Sequence, residues 1–520
     1  MKNGHKTASG DSIALIQKKI QPLAKIAELA KRAKTQGKTV VHCHGVFDLL
    51  HPGHIKHLQA AKKMGHLLIV TVTKDVNVNK GPGRPIFGER LRAETLAAMA
   101  GVNYVAINDT PTAIEAILKI KPDFYVKGGD YQDASADITG GISKEEDAVK
   151  SVGGKIAFTN EITFSSSNLI NNYFDIYPTE TKAFLDQFKK RYTSGRVVEG
   201  LQSLKDLNVL IIGEAIIDEY HYCRPMGKSP KESIVSTQYL SEERFPGGVL
   251  AAANHVAGFA GSVELVTCID KNKTHEDFIR EQLNPSIKLK LFYSESPTIV
   301  KRRFVDPAFL TKLFEVSYID DRPLSPALES KIAAYLEGRA GASDVVIVTD
   351  YGHGMMGSKI KAILCKRSKF LAVNAQTNSA NFGFNPIIKY PKADFVCIDE
   401  PEIRLAMRNK FDPIEEVMMG LRKHVDVHNF IVTRGHKGSI AHSATKGFFS
   451  IPVFSDKVID RVGAGDAYFS VAALCAAKKL PMDMTGFVGN AAGAIAVTIV
   501  CNRKPIEPVA LYKFVTTLLK

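Results

Sequence analysis

Two histidines three positions apart, His51 and His54, close the run Gly45-Val46-Phe47-Asp48-Leu49-Leu50-His51-Pro52-Gly53-His54. The residues after them have helical spacing, so both imidazoles fall where a helix begins. A helix start presents free backbone N–H groups and the positive end of a dipole, which suits phosphate. Two imidazoles one turn apart can both donate to phosphate oxygens, and phosphoryl chemistry needs mainly positioning and charge stabilisation. A second constellation lies far along the chain, in Asp460-Arg461-Val462-Gly463-Ala464-Gly465-Asp466. Its glycines let N–H groups converge on an anion at another helix start. Asp466, at the lip, is placed to take a proton from an attacking hydroxyl. The helix dipole and nearby N–H groups there favour its ionised form.

The elements that must position these groups can be read from periodicity. Thr39–Cys43 is short and β-branched and predicts a buried strand. In the helix after it, Ile55, Leu58, Ala61 and Met64 fall near one face. A second strand, Leu67–Thr73, is followed by Glu89–Ala100, Tyr104–Ile107, Thr112–Ile120 and Phe124–Lys127, helix and strand alternating. Alternation of this kind means a parallel sheet with crossover helices, whose ligands bind outside the carboxyl ends of the strands. Residues 12–36 read as one amphipathic helix ended by Gly37, a preamble (1–37) to that domain. A new strand opens at Asn208, closed by Gly213, and starts another strand–helix series that runs to residue 520. The fold class is therefore α/β throughout. The reading is a domain over 38–175, a linker over 176–206 that includes Thr193-Ser194-Gly195, and a second domain over 207–520.

Composition excludes several classes. A chain of 520 residues implies two or three domains, and 45% hydrophobic with 23% charged residues is ordinary for a soluble protein. No signal peptide or membrane span is expected; Met484–Asn502 reads as a packed interior helix. The seven scattered cysteines contain no C-x-x-C pair, which fits reduced thiols in a cytoplasm. The net charge of +14 is not gathered into a basic run, so anionic small substrates, not nucleic acid, account for part of it. The expected partners are a sugar or sugar phosphate and a nucleoside triphosphate, with no membrane and with a second copy of the chain.

The first decapeptide, between its strand and its helix, resembles the signature of the HxGH nucleotidyltransferases, the cytidylyltransferase-like superfamily. Three later stretches extend the resemblance over about 38–175: Lys80-Gly81-Pro82-Gly83-Arg84-Pro85, Lys127-Gly128-Gly129-Asp130-Tyr131, and Thr163-Phe164-Ser165-Ser166-Ser167-Asn168. It implies a Rossmann-like domain with His51 and His54 catalytic. It implies nucleotide contacts from Gly45, Val46, Phe47, Lys80, Lys127, Asp130, Ser165, Ser166 and Ser167. The order and spacing look most like the adenylyltransferase part of the bacterial bifunctional heptose enzymes; the serine triplet departs mildly from the usual Ser-Thr-Thr.

Residues 207–520 resemble the ribokinase-like (PfkB) carbohydrate kinases, through Asp218, Pro246-Gly247-Gly248, Asn254, Thr433-Arg434-Gly435, Gly463–Asp466 and Asn490. The resemblance implies Asp466 as base and sugar contacts from Asp218, Gly247, Gly248 and Asn254. It implies ATP contacts from Thr433, Gly435, Gly463, Ala464, Gly465 and Asn490. Asp350-Tyr351-Gly352-His353-Gly354 resembles the Asp-Tyr-x-x-Gly of heptose-phosphate kinases. Where relatives carry Asn-x-x-Glu this chain has Asp399-Glu400-Pro401-Glu402, which keeps carboxylates able to organise Mg²⁺ through water. Where relatives have Asp-Pro-Lys or Asp-Pro-Asn it has Asn374-Ala375-Gln376-Thr377, which removes an acid from the phosphate region.

Together these imply a bifunctional sugar kinase and sugar-phosphate nucleotidyltransferase, making an ADP-heptose-like activated sugar for a surface polysaccharide. ATP or CTP is the nucleotide substrate and Mg²⁺ the cofactor. The order of the halves is the reverse of that in the bifunctional heptose enzymes, which points to an independent fusion. Two other readings stand beside it. One is a cytidylyltransferase for glycerol phosphate or another polyol phosphate; the other is a single-activity transferase whose kinase-like half binds sugar and regulates.

Overall fold

The computed structural model describes residues 9–129, 141–159, 171, 177–455 and 457–520. The chain divides into two compact units. The first comprises residues 1–178 and 512–520, the second 179–511.

In the first unit the strands are β1 (Val40–Gly45), β2 (Leu67–Thr73), β3 (Tyr104–Asn108), β4 (Phe124–Gly128) and β5 (Lys155–Thr159). They form one parallel sheet in the order β3-β2-β1-β4-β5. Both faces are covered. Val41, Cys43, Val70 and Val72 pack with Leu58 and Leu96 on one face, and Val40, Ile69 and Ala106 pack with Ile26, Ala30 and Ala116 on the other. Hence the strands read as continuous apolar runs with no alternation. The strand order reverses between β1 and β4, which opens a crevice at their carboxyl ends.

The preamble is two helices, Ser9–Lys19 and Leu23–Thr35, where one was expected. Pro22 has no N–H to give to a continuous helix and disfavours helical geometry at Gln21. The chain uses the break: Gln21 donates its backbone N–H to Val105 at 3.0 Å, and Ile20 bridges to the same residue.

The strands of the second unit are β6 (Asn208–Gly213), β7 (Ala215–Lys228), β8 (Val235–Gly248), β9 (Ser262–Asp270), β10 (Ile287–Ser294), β11 (Ile299–Asp306) and β12 (Thr311–Tyr318), then β13 (Val345–Asp350), β14 (Leu371–Ala375), β15 (Phe395–Asp399), β16 (Asn429–Thr433), β17 (Ser439–Ser443) and β18 (Gly447–Ile451). A nine-stranded sheet runs β10-β9-β6-β13-β14-β15-β16-β17-β18, parallel except for β17, which is antiparallel to both its neighbours. A separate four-stranded sheet, β12-β11-β7-β8, carries Asp218 on β7.

Residues 179–202, read as linker, are helices of this second unit: Thr179–Arg191 and Ser194–Gln202. Phe188 stacks on Phe487 at 4.3 Å between ring centres, and Arg191 pairs with buried Asp483. Thr193 caps the second helix by accepting from the Arg196 N–H at 3.2 Å. The interior helix expected at Met484–Asn502 spans Met482–Ala496 and is buried almost all round. Among the described residues no helix is long and apolar enough to cross a membrane, and all seven cysteines are free.

Candidate active sites

In the first unit β1 ends at Gly45 and the helix Pro52–Lys63 begins with His51 as its N-cap and Pro52 at its first position. No side chain caps this helix; Pro52 brings no N–H, and the His54 and Ile55 N–H groups turn back to the His51 carbonyl at 2.9 and 3.2 Å. The loop between is held tightly. Phe47 takes a left-handed conformation (φ 51°), and its ring lies so close to Gly45 that a Cβ there would be 3.1 Å away. A non-glycine residue in that region is strained and persists only where its surroundings enforce it. Here the enforcing contact is His54, edge-on to Phe47 at 5.3 Å. His51 and His54 then lie 3.9 Å apart, ring centre to ring centre. The buried Nδ1 of His54 has no hydrogen-bond partner among the described residues.

Burial, His51, and the charges of Lys80 and His57 push the pKa of His54 down to about 3; burial and then Lys80 lower that of His51. Both imidazoles are therefore neutral at pH 7 and act as N–H donors, not as standing cations. Lys80 is itself pushed down to about 8, by burial and by Arg84, Lys520 and Lys513, against the pull of Asp48. Lys127, at the end of β4, pairs with Glu145 at 2.8 Å. Asp130 and Ser165, Ser166 and Ser167 lie outside the described residues.

Sequence reasoning passed over the groups that hold this site. Asp48 accepts from the Ile86 N–H at 2.6 Å and the Phe87 N–H at 3.3 Å, and from Arg84 at 3.4 Å, so it ties the Lys80 loop to the histidine loop. Arg92, fully buried, donates to the carbonyls of Val46, Thr73 and Phe87 and pairs with Asp75. One arginine thus staples the ends of β1 and β2; its place in a helical stretch that reads as exposed concealed it. Below, the Thr71 hydroxyl bridges His42 and His44 at 2.8 Å each, and burial pushes the His42 pKa down to about 3.

In the second unit Gly463 precedes the helix Ala464–Ala477 with φ 83°, and a Cβ there would fall 1.9 Å from Asn502 Oδ1. Only glycine fits, and no side chain caps the helix. Asp466 accepts from the Tyr351 hydroxyl and from Gln376 Nε2, each at 2.9 Å and both on Oδ1. Its pKa is pushed up to about 6, with burial the main cause and Asp218 adding, against the Tyr351 and Gln376 hydrogen bonds and the charge of Lys301. This corrects the expectation drawn from the helix dipole: loss of water outweighs the N–H groups.

Asp218 pairs with Arg303, and Lys301 lies opposite it in the β7/β11 register. Neither Lys301 nor Arg303 was marked by sequence, since lone cations in a strand carry no signature. A Cβ on Gly247 would sit 2.1 Å from Asp218 Oδ2, and one on Gly248 (φ 57°) would sit 2.5 Å from the Glu214 carbonyl. The pair of glycines thus lets the backbone close onto Asp218. Asn254 gives its amide to the Gln282 carbonyl at 3.0 Å and accepts from the Asn284 N–H at 2.8 Å, so it fastens a turn. Asn490 donates to the Ile451 and Pro452 carbonyls at 3.0 and 2.9 Å. Thr433 closes β16 and Gly435 opens the next turn with φ 56°.

Asp399 and Glu402 form the capping box of the helix Glu400–Met407. Glu402 accepts from the Asp399 N–H at 2.7 Å and the Thr377 N–H at 3.0 Å. Burial pushes the Glu402 pKa up to about 7, with the charges of Asp399 and Asp466 adding to it. Among the described residues no three metal-ligating side chains are gathered. The substituted segment is built in. Asn374 donates to the Cys397 carbonyl at 2.7 Å, and Gln376 reaches Asp466.

Residues 42–172 match the cytidylyltransferase-like family and residues 207–505 the pfkB family carbohydrate kinases. Similar curated proteins are the bifunctional protein HldE of Syntrophotalea carbinolica, 36% identical over 162 residues, and that of Geotalea uraniireducens, 40% identical over 158 residues. These cover 31% and 29% of this chain, in its N-terminal part, and 32% and 30% of the relatives. The chain thus spans about a third of the length of the curated relatives it matches. The crystal structure of phosphofructokinase-2 from Escherichia coli in complex with potassium superposes with a TM-score of 0.50 at 12% identity, covering 60% of this chain and all of that one, a likeness of fold. On the match over more than half its length, the chain belongs to the pfkB family of carbohydrate kinases, with a cytidylyltransferase-like domain in front.

Proposed function

We propose that the chain is a bifunctional enzyme: a sugar kinase, and a sugar-phosphate nucleotidyltransferase that makes an activated sugar, ADP-heptose-like, for a surface polysaccharide. The observation that carries it is the pairing of the two sites: adjoining neutral histidines at a helix start in one unit, and a half-buried aspartate beside a glycine-built anion hole in the other. A sugar kinase and a transferase that activates a sugar phosphate belong to one route. The HldE proteins that resemble the first unit are named bifunctional.

In the kinase, a sugar hydroxyl gives its proton to Asp466 as it attacks the γ-phosphorus of ATP. Because Tyr351 and Gln376 both donate to Oδ1, Oδ2 is the oxygen left for that proton. The N–H groups after Gly463 receive the transferred phosphoryl charge. In the transferase, a sugar phosphate oxygen attacks the α-phosphorus of the nucleotide in line, and pyrophosphate leaves without a covalent intermediate. His51 and His54 donate to the phosphate charge and Lys80 draws the leaving group. Asp399 and Glu402 are the carboxylates that would hold Mg²⁺ through water, and the ion would supply charge neutralisation to the triphosphate. The free thiols suit a cytoplasm.

The test is to incubate the full chain with ATP or CTP and a panel of sugars and sugar phosphates, and to follow ADP and pyrophosphate separately. Pyrophosphate with a heptose 1-phosphate and ATP is the expected result. Pyrophosphate only with CTP and a polyol phosphate would overturn the sugar assignment. Sugar binding without phosphorylation would mean that the second unit regulates.

A further inference from the structure

The loop Lys80–Arg84 is held by a part of the chain more than 400 residues away in sequence, and both belong to the first unit. Gly81 is left-handed (φ 89°), and a Cβ built on it would fall 1.9 Å from Cδ2 of Phe514. The phenylalanine ring therefore lies flat against the loop backbone, where no other residue than glycine fits. Phe514, Val515 and Leu518 are fully buried. A second link runs through hydrogen bonds. Asp48, in the histidine loop itself, pairs with Arg84 at 3.4 Å; Arg84 donates to Asn171 Oδ1 at 3.0 Å; Asn171 donates to the Thr517 carbonyl at 2.7 Å. The relay thus leads from the phosphate-binding turn to residue 517 in three steps.

Lys513 and Thr517 lie one turn apart on one helix face, and the Thr517 hydroxyl donates back to the Lys513 carbonyl at 2.8 Å. Lys513 directly precedes Phe514, whose ring meets Gly81, so it lies on the helix beside the Lys80–Arg84 loop. Consistent with that placement, the charge of Lys513 acts on both Lys80 and His44.

Resting on the transferase reading above, we propose that Tyr512–Lys520 is a working part of the nucleotidyltransferase site: Phe514 and the Thr517 carbonyl hold the Lys80–Arg84 loop in register, and Lys513 adds its charge to the cationic cluster that binds the triphosphate. Phe514 and Thr517 are positioning residues. Lys513 is a binding residue for the polyphosphate of the incoming nucleotide. The chemistry recognised is a run of phosphates, whatever the base.

The experiment uses the full chain and follows pyrophosphate release and sugar phosphorylation in the same preparations. Lys513→Gln, which keeps the length of the side chain and removes its charge, is expected to raise the KM for nucleotide about tenfold, the effect of one lost charged hydrogen-bonding partner. The inhibition constant of inorganic tripolyphosphate should rise in parallel, with kcat nearly unchanged. Lys513→Arg should restore both. Phe514→Ala frees the loop and is expected to lower kcat as well as raise KM, and Phe514→Leu should recover part of the loss. Sugar phosphorylation should persist in all four, which marks the fold as intact. Wild-type constants in both Lys513→Gln and Phe514→Ala would overturn the inference and leave the transferase reading standing. No pyrophosphate from the wild type with any sugar phosphate would overturn that reading, and the inference with it.

Discussion

Gln376 Nε2 stands 2.9 Å from Asp466 Oδ1, on the same oxygen that takes the Tyr351 hydroxyl. The segment that departs from the family pattern is therefore in contact with the proposed base. An aspartate that has lost water and gained two neutral donors is poised near pH 6, where it is ionised at neutrality yet basic enough to accept a proton.

Asp466→Asn keeps the shape of the side chain and cannot take the proton. Phosphoryl transfer is expected to fall by about 10²-fold to 10⁴-fold, the range for a positioned base, with ATP and sugar binding retained. Pyrophosphate release in the same protein should be unchanged. The aspartate pKa is raised on folding, so its charged form costs stability above about pH 6 and costs nothing below its unfolded value. Asp466→Asn should therefore raise Tm at pH 8 more than at pH 4, which thermal melts at the two pH values would show.

The acid limb of kcat/KM for sugar phosphorylation should lie at about pH 6, with activity lost below it as Asp466 takes up its proton. Gln376→Leu removes a donor that lowers this pKa, so the limb should move to higher pH. A limb that stays in place in Gln376→Leu would show that this contact does not tune the base.

His51→Ala and His54→Ala are each expected to lower pyrophosphate release by about 10²-fold or more, as for the loss of one transition-state donor. Steady-state assays with saturating nucleotide measure this, and sugar phosphorylation by the same variants serves as the control.

Lys80 should set an alkaline limit on the transferase. Its cation, favourable for triphosphate, is lost as pH rises through about 8, so nucleotide KM should climb above that pH while kcat holds. Lys80→Met should show the high KM at every pH and no such climb.

Gly247→Ala puts a methyl group where Asp218 Oδ2 now lies, 2.1 Å away. The carboxylate must turn from Arg303, so the KM for sugar should rise by about tenfold or more, the effect of a displaced charged hydrogen bond. Gly338→Ala, exposed on the helix Pro326–Ala340 with open space at its Cβ, is the control and should cost little.

Several features were legible in the residues alone. The strand–turn–helix around His51 and His54 is set locally, by a β-branched run, a proline at the first helical position and a periodic apolar face. The parallel sheet followed from alternation, and the glycine-rich start of the Ala464–Ala477 helix from its own composition. Local rules also contained an answer that the apolar period masked: Pro22 divides the preamble helix because the break depends on one missing N–H. Other features needed tertiary structure, because they depend on groups distant in the chain meeting away from water. Asp466 has a raised pKa because folding takes its carboxylate out of water and sets Asp218 near it, against the Tyr351 and Gln376 donors, which no helix-dipole argument contains. Arg92 is a staple only because three carbonyls from separate parts of the chain converge on it. Phe514 reaches Gly81 across more than 400 residues, and nothing in either local sequence marks the other. Sequence by itself determined which families of domain this protein carries, since their marks reside in short motifs. Only the folded chain decided the protonation states and supports of the acting groups, since burial and long-range contact set both.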